Sequence, residues 1–136
     1  MEWKNLTNKM SLLSNMLSIV KVGCNARHLQ VTVQNSKLCI NVLSVLYKLG
    51  YIRGFIVKDK KNIIVLLKYI NNKPVIRNIA VISTPGRRTY IKHKKLEKFL
   101  KKKDSGFLLL STSKGILTDE ESNIFKIGGE ALLKIS

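Results

Sequence analysis

The chain has 136 residues, 45 % of them hydrophobic, with 25 Lys and Arg against 8 Asp and Glu and a formal charge of +17. That length holds one ordinary domain or two small lobes and excludes several independent domains, and the apolar share suffices to offset the entropy of ordering the backbone. The charge makes the protein repel itself and attract polyanions, and its spread along the whole chain fits nucleic acid rather than a membrane surface, which calls for one concentrated amphipathic basic helix.

Leu6, Met10, Leu13, Leu17 and Val20 recur at spacings of four and three, which predicts a first helix over residues 6–21, ended by Gly23 and Asn25. Leu29, Val31 and Val33 alternate with polar neighbours and read as a short half-buried strand. Ser36 is the N-cap expected for a second helix; Cys39, Val42, Leu43, Leu46 and Leu49 form its buried stripe, and Gly50 takes the left-handed position beyond it. Residues 52–57 and 62–70 are rich in β-branched side chains and flank Asp59, Lys60 and Lys61, the pattern of a hairpin. The order predicts an N-terminal α/β lobe, α-β-α-β-β, over residues 1–72.

Asn71, Asn72, Lys73 and Pro74 mark a turn, and a second lobe, mostly β with short helices, is expected over residues 73–136. It opens with an alternating strand at 75–82. Pro85 and Gly86 have the sequence of a type II turn, leading into a strand at 89–92. Leu96, Phe99 and Leu100 predict a short basic helix stopped at 104–106, after which residues 107–110 form a fully apolar strand. Thr118 and Glu121 make a capping box for a helix of one or two turns, Gly128 and Gly129 end it, and residues 131–135 are a final strand. The class is therefore α+β, with two small α/β lobes, no internal repeat and no low-complexity segment.

Ser111, Thr112, Ser113, Lys114 and Gly115 follow the apolar strand as a polar loop, and three hydroxyls with an ammonium suit hydrogen bonding to phosphates and 2′-hydroxyls. The same residues match S-x-x-K, the spacing of a nucleophilic serine and its lysine on a helix turn, but the S-D-N and K-T-G elements of those hydrolases are missing. Arg87, Arg88 and Tyr90 supply phosphate pairing and base stacking, although alternation in a strand would turn the two arginines to opposite faces and leave Tyr90 as core. Lys92, His93, Lys94, Lys95, Lys98 and Lys101 to Lys103 form a basic run that is either a solvated face or an RNA-facing one.

Cys24, His28, Cys39 and His93 lack the paired spacing of a zinc site, and Asp119, Glu120 and Glu121 stand where a helix N-terminus favours acids for structural reasons, so no metal, cofactor, catalytic residue or small-molecule substrate is expected. The longest apolar run, residues 63–70, is broken by Lys68 and is far short of the roughly eighteen residues that span a bilayer. The first twenty residues carry no Arg and many Asn, and are read as mature protein rather than a transit peptide. Two cysteines are too few for a disulfide framework and fit a reducing compartment. Ile, Asn and Lys make up roughly a third of the chain, above their usual share, which points to an AT-rich genome such as an organelle's.

Three segments resemble the bacterial-type ribosomal protein S-eight family: Ile82-Ser83-Thr84-Pro85-Gly86-Arg87-Arg88-Thr89-Tyr90, then Leu110-Ser111-Thr112-Ser113-Lys114-Gly115-Ile116-Leu117-Thr118-Asp119, then Ile127-Gly128-Gly129-Glu130. Asn35-Ser36-Lys37-Leu38 and Leu49-Gly50-Tyr51-Ile52 extend the resemblance more weakly into the first half. It implies a structural constituent of the small ribosomal subunit that binds the central domain of small-subunit ribosomal RNA beside neighbouring ribosomal proteins. By resemblance Ser111, Thr112, Ser113, Lys114 and Gly115 touch RNA, with Ser83, Gly86, Arg87, Arg88, Tyr90, Gly128, Gly129 and Glu130 shaping or flanking that surface, and Ser36 and Lys37 making a first-lobe contact. The first helix departs from the family pattern, with Asn, Ser, Met and Lys in place of the usual acidic and arginine residues. That divergence, the residue bias and the charge favour a mitochondrial ribosome over a plastid or bacterial one. A stand-alone structured-RNA chaperone is the alternative.

Overall fold

A computed structural model describes the backbone of residues 2–84, 86–102 and 106–136, and the side chains of all of these except 2–11, 99 and 102. The expected contributions of Leu6, Met10 and Phe99, the Pro85 position of the type II turn, Lys103 and the helix stop at Asp104 lie outside the described residues. The chain divides into two compact units between Arg77 and Asn78. The expected boundary lay five residues earlier; Lys73 and Pro74 instead pair back on Tyr69 and Ile70 and stay with the first unit.

The first unit runs α1 (Glu2–Asn25), β1 (Gln30–Gln34), α2 (Lys37–Leu49), β2 (Ile52–Val57), β3 (Asn62–Leu67), β4 (Tyr69–Ile70) and β5 (Lys73–Pro74). Leu13, Met16, Leu17, Val20 and Cys24 bury one face of α1. Gly23 does not end this helix. A Cβ there would fall against Val31 Cγ1 and 3.2 Å from Leu67 Cδ1, so the glycine lets α1 approach the sheet. Helix α2 has both its caps: Ser36 Oγ accepts from Cys39 N at 3.1 Å, and Gly50 takes φ 83°.

β3 is the middle strand of an antiparallel sheet of order β1-β3-β2. Ile63, Val65 and Leu67 point to the core, as the period of two requires. Leu29 is exposed and precedes β1 rather than belonging to it. The β2–β3 hairpin closes on Asp59, whose carboxylate accepts from Lys61 N at 2.7 Å and Asn62 N at 2.8 Å. Asn71 and Asn72, at φ 54° and 63°, turn β4 into β5, a conformation asparagine tolerates well. Both cysteines are free and buried, and burial pushes their thiols up, away from the reactive thiolate.

The second unit runs β6 (Ile79–Val81), β7 (Tyr90–Ile91), α3 (His93–Lys102), β8 (Phe107–Thr112), β9 (Gly115–Thr118), α4 (Asp119–Ile124) and β10 (Gly129–Ile135). β10 is central: β8 and then β9 lie on one side, while β6 pairs with its C-terminal half and β7 with its N-terminal half. Leu96 of α3 packs with Leu108, Leu110 and Ala131, and Ile82 and Ile91 close over them. α4 carries its capping box, Thr118 Oγ1 accepting from Glu121 N at 3.2 Å. It ends at Phe125 and a left-handed Lys126, before Gly128 is reached. The expected strand at 75–82 shrinks to three residues, Ile79 to Val81, which are the ones that enter the ladder with β10.

Candidate nucleic-acid interface

Between β6 and β7 the chain leaves the sheet and returns. Ile82 N donates to Leu132 O at 3.0 Å, and Ala131 N donates to Thr89 O at 2.8 Å, so both ends of this excursion are fixed to β10. Ser83 sits at its base, fully buried. Its hydroxyl donates to Ala131 O and accepts from Thr89 N at 3.0 Å. The side chain has no exposed surface and serves the loop's own backbone, so in the free protein Ser83 shapes the loop. At the tip Thr84 and Arg87 exchange backbone hydrogen bonds of 2.9 and 3.0 Å, leaving Gly86 and Arg87 exposed.

Arg88 and Tyr90 are two residues apart, and both project toward β10. Arg88 Nε and Nη2 each donate to one oxygen of Glu130 at 2.8 Å, a bidentate pair. These hydrogen bonds push the guanidinium further up. Glu130 is itself buried, so its charge is met inside the protein by Arg88. The guanidinium carbon also lies 5.8 Å from the centre of the Tyr90 ring. Tyr90 is 65 % exposed and is not core. Of the alternative in which one arginine is solvated and Tyr90 is core, the first half fits the exposed Arg87 and the second does not hold.

The expected loop at 111–115 is a hairpin. Ser111 and Thr112 end β8, Gly115 begins β9, and Ser113 and Lys114 form the turn between them. Thr112 Oγ1 accepts from Lys114 N at 3.1 Å and donates to Gly115 O at 2.9 Å, so that hydroxyl is spent holding the turn. Gly115 takes φ 105°, where a side chain would be strained. Ser113 and Lys114 are exposed. Lys114 Nζ lies 4.1 Å from the centre of the Phe125 ring, a cation–π contact that had no sequence signal, since nothing local brings α4 to the turn. S-x-x-K here lies on a hairpin, not on the helix turn a serine hydrolase requires.

Register unites these parts. Tyr90 pairs with Glu130, Glu130 with Ser111, and Ser111 with Ile116, and residues directly opposite in an antiparallel sheet share a face. Gly128 and Gly129 make the close packing feasible. A Cβ on Gly129 would meet Ser111 O and lie 2.9 Å from Thr112 Cγ2; one on Gly128 would meet Ile91 O and lie 2.9 Å from Lys92 Cα. The result is a shallow depression of about 540 Å³ lined by Tyr90, Ile91, Lys92, His93, Ser111, Thr112, Ser113, Gly128 and Gly129. Its aromatic ring, hydroxyls and ammonium groups suit a nucleotide backbone and a stacked base.

Ser36 and Lys37 belong to the first unit. Ser36 Oγ is occupied as the cap of α2, while Lys37 is exposed at that helix's N-terminus. Among the described residues no three His, Cys, Asp or Glu gather as a metal site, and no helix is long and apolar enough to cross a membrane.

Residues 11–136 match the family model of Ribosomal protein S8. The chain is 89 % identical over 127 residues to the small ribosomal subunit protein uS8m of Acanthamoeba castellanii, covering 93 % of this chain and 100 % of that protein. It is 40 % identical to the small ribosomal subunit protein uS8 of Phytoplasma mali and 39 % identical to that of Rhodospirillum centenum, in each case over 90 % of this chain and 95 % of the relative.

Proposed function

Because the chain belongs to the ribosomal protein S8 family, we propose that it binds the central domain of small-subunit ribosomal RNA and stabilises the fold of that RNA during assembly and translation. The family is one of structural ribosomal proteins, not of enzymes, and the chain is a protein of the mitochondrial ribosome. The observation that carries the reading is the row Tyr90–Glu130–Ser111 beside the exposed Ser113–Lys114 turn. In that row the carboxylate is buried and neutralised by Arg88, so an anionic backbone meets hydroxyls and a ring without repulsion from Glu130.

Each partner has a distinct part. Ser111 and Ser113 offer hydroxyls to phosphates and 2′-hydroxyls, Lys114 supplies charge held in place by Phe125, and Tyr90 supplies a stacking face. Arg87 and Gly86 present the tip of the neighbouring loop. Thr112, Gly115, Arg88, Glu130, Gly128 and Gly129 set the shape of the surface, and Lys37 supplies a first-unit contact. Neighbouring small-subunit proteins are its further partners.

A filter-binding titration against the central domain, with an equally long unrelated duplex as competitor, tests the reading. Tight binding that survives the competitor is expected. Ser113→Ala with Lys114→Ala should weaken it about tenfold or more while the thermal midpoint stays nearly unchanged, since both side chains are exposed and an exposed cation–π pair contributes only about 0.5–1 kcal/mol. Equal affinity in the two proteins would remove the turn from the interface. Sedimentation with small subunits separates a ribosomal protein from a free chaperone.

A further inference from the structure

We propose that Lys92, Lys94, Lys95 and Lys98, with Tyr90 at one end, form a second RNA-backbone surface that holds a further RNA strand by charge and adds affinity without sequence or shape discrimination. The proposal rests on the RNA-binding reading above and extends it. These five residues line a depression of about 580 Å³ between β7 and α3, adjoining through Tyr90 and Lys92 the one that contains the hydroxyl hairpin.

The sequence of α3 is poorly chosen for a helix that stands alone. Lys94 and Lys98 are four residues apart and Lys98 and Lys101 three, so like charges repel along one stripe. Lys94 and Lys95 lie in the first turn, where the helix dipole disfavours cations, and no acidic residue is present there to offset them. Glu97, the one acidic residue of α3, lies with its carboxylate 3.5 Å from His93, whose Nε2 also lies 3.1 Å from Asn123 Oδ1. Lys94, Lys95, Lys98 and Lys101 of the helix are therefore exposed and unneutralised by its own acid. A polyanion relieves both penalties at once.

The apolar side of α3 distinguishes the partner. Leu96 is fully buried in the unit's own core and Leu100 is half-buried, so among the described side chains of α3 it is lysine head groups, not an apolar stripe, that face outward. The exposed Tyr90 ring beside the lysines favours nucleic acid over an acidic protein, because a base stacks where a carboxylate does not.

The test uses the full chain with Lys94, Lys95 and Lys98 each changed to Gln, titrated with central-domain RNA and with the unrelated duplex over a range of salt. The slope of log affinity against log salt should fall by about two to three, roughly 0.7–0.9 per lysine, with either RNA. The ratio of affinities for the two RNAs should stay within twofold of wild type, and the thermal midpoint should be equal or higher because repulsion has been removed. An unchanged slope overturns the proposal, as does a variant that loses binding to polyglutamate while its RNA slope is unaltered, which would make the surface an acidic-protein site. Loss of discrimination in the Ser113 and Lys114 variant reports on the hairpin alone, and absence of discrimination in wild type would sink the ribosomal-RNA reading while the slope still reads α3.

Discussion

Ser83 has one hydroxyl and two backbone groups to satisfy, and it satisfies both: Ala131 O receives its proton and Thr89 N donates to it. An unpaired buried donor or acceptor costs about 1–3 kcal/mol, more than a typical hydrogen bond contributes, because nothing replaces the water it has lost. Ser83→Ala should therefore lower the unfolding free energy by about 1–3 kcal/mol, read by urea denaturation, with RNA affinity well below the transition reduced far less. A variant of full stability and poor affinity would place Ser83 among the contacting residues. The pair Arg88–Glu130 follows the same logic with charges, since a buried carboxylate that loses its guanidinium has no water to fall back on.

At the scale of elements, the surface depends on how closely β10 approaches β8, and Gly129 governs that distance. Gly129→Ala places a methyl group against Ser111 O and Thr112, so the strands must part; overpacking of this kind costs about 1–3 kcal/mol. Its thermal midpoint and RNA affinity should fall together, in contrast to the Ser113 and Lys114 variant, whose midpoint holds. Elements with local chemistry were legible in the sequence: α2 with Ser36 and Gly50 at its ends, the hairpin of β2 and β3 around Asp59, and the Thr118–Glu121 box. Those made by distant pairing were not. β9 falls in what reads as a polar loop and exists because β8 aligns it, and Gly23 reads as a stop until Val31 packs against it. Within the site, the motif residues were legible but not their division of labour. Three hydroxyls look alike in Ser111-Thr112-Ser113, yet only the fold commits that of Thr112 to the turn.

For the whole molecule, the charge of +17 sets two responses to salt that have opposite signs. Glu2 and Asp59 are the only acidic residues up to Arg77, so the free protein repels itself, and screening should raise its thermal midpoint. The RNA complex responds the other way: with about six phosphates neutralised, affinity falls roughly a thousandfold between 50 and 200 mM salt. Differential scanning fluorimetry and filter binding across one salt series check both, and a complex indifferent to salt would count against phosphate neutralisation. The place of β10 has a temporal consequence. Strands β6, β7 and β8 all precede in the chain the strand that joins them. During synthesis, which proceeds from the N-terminus, β6, β7 and the β8–β9 hairpin are not joined into one sheet until residues 129–135 have been made. A polypeptide released before Gly129 lacks the strand that carries Glu130 and aligns Tyr90 with Ser111. A product that stops before Gly129 should therefore keep the salt-dependent attraction of its lysines but lose discrimination between the central domain and an unrelated duplex, which the same filter-binding titration reads.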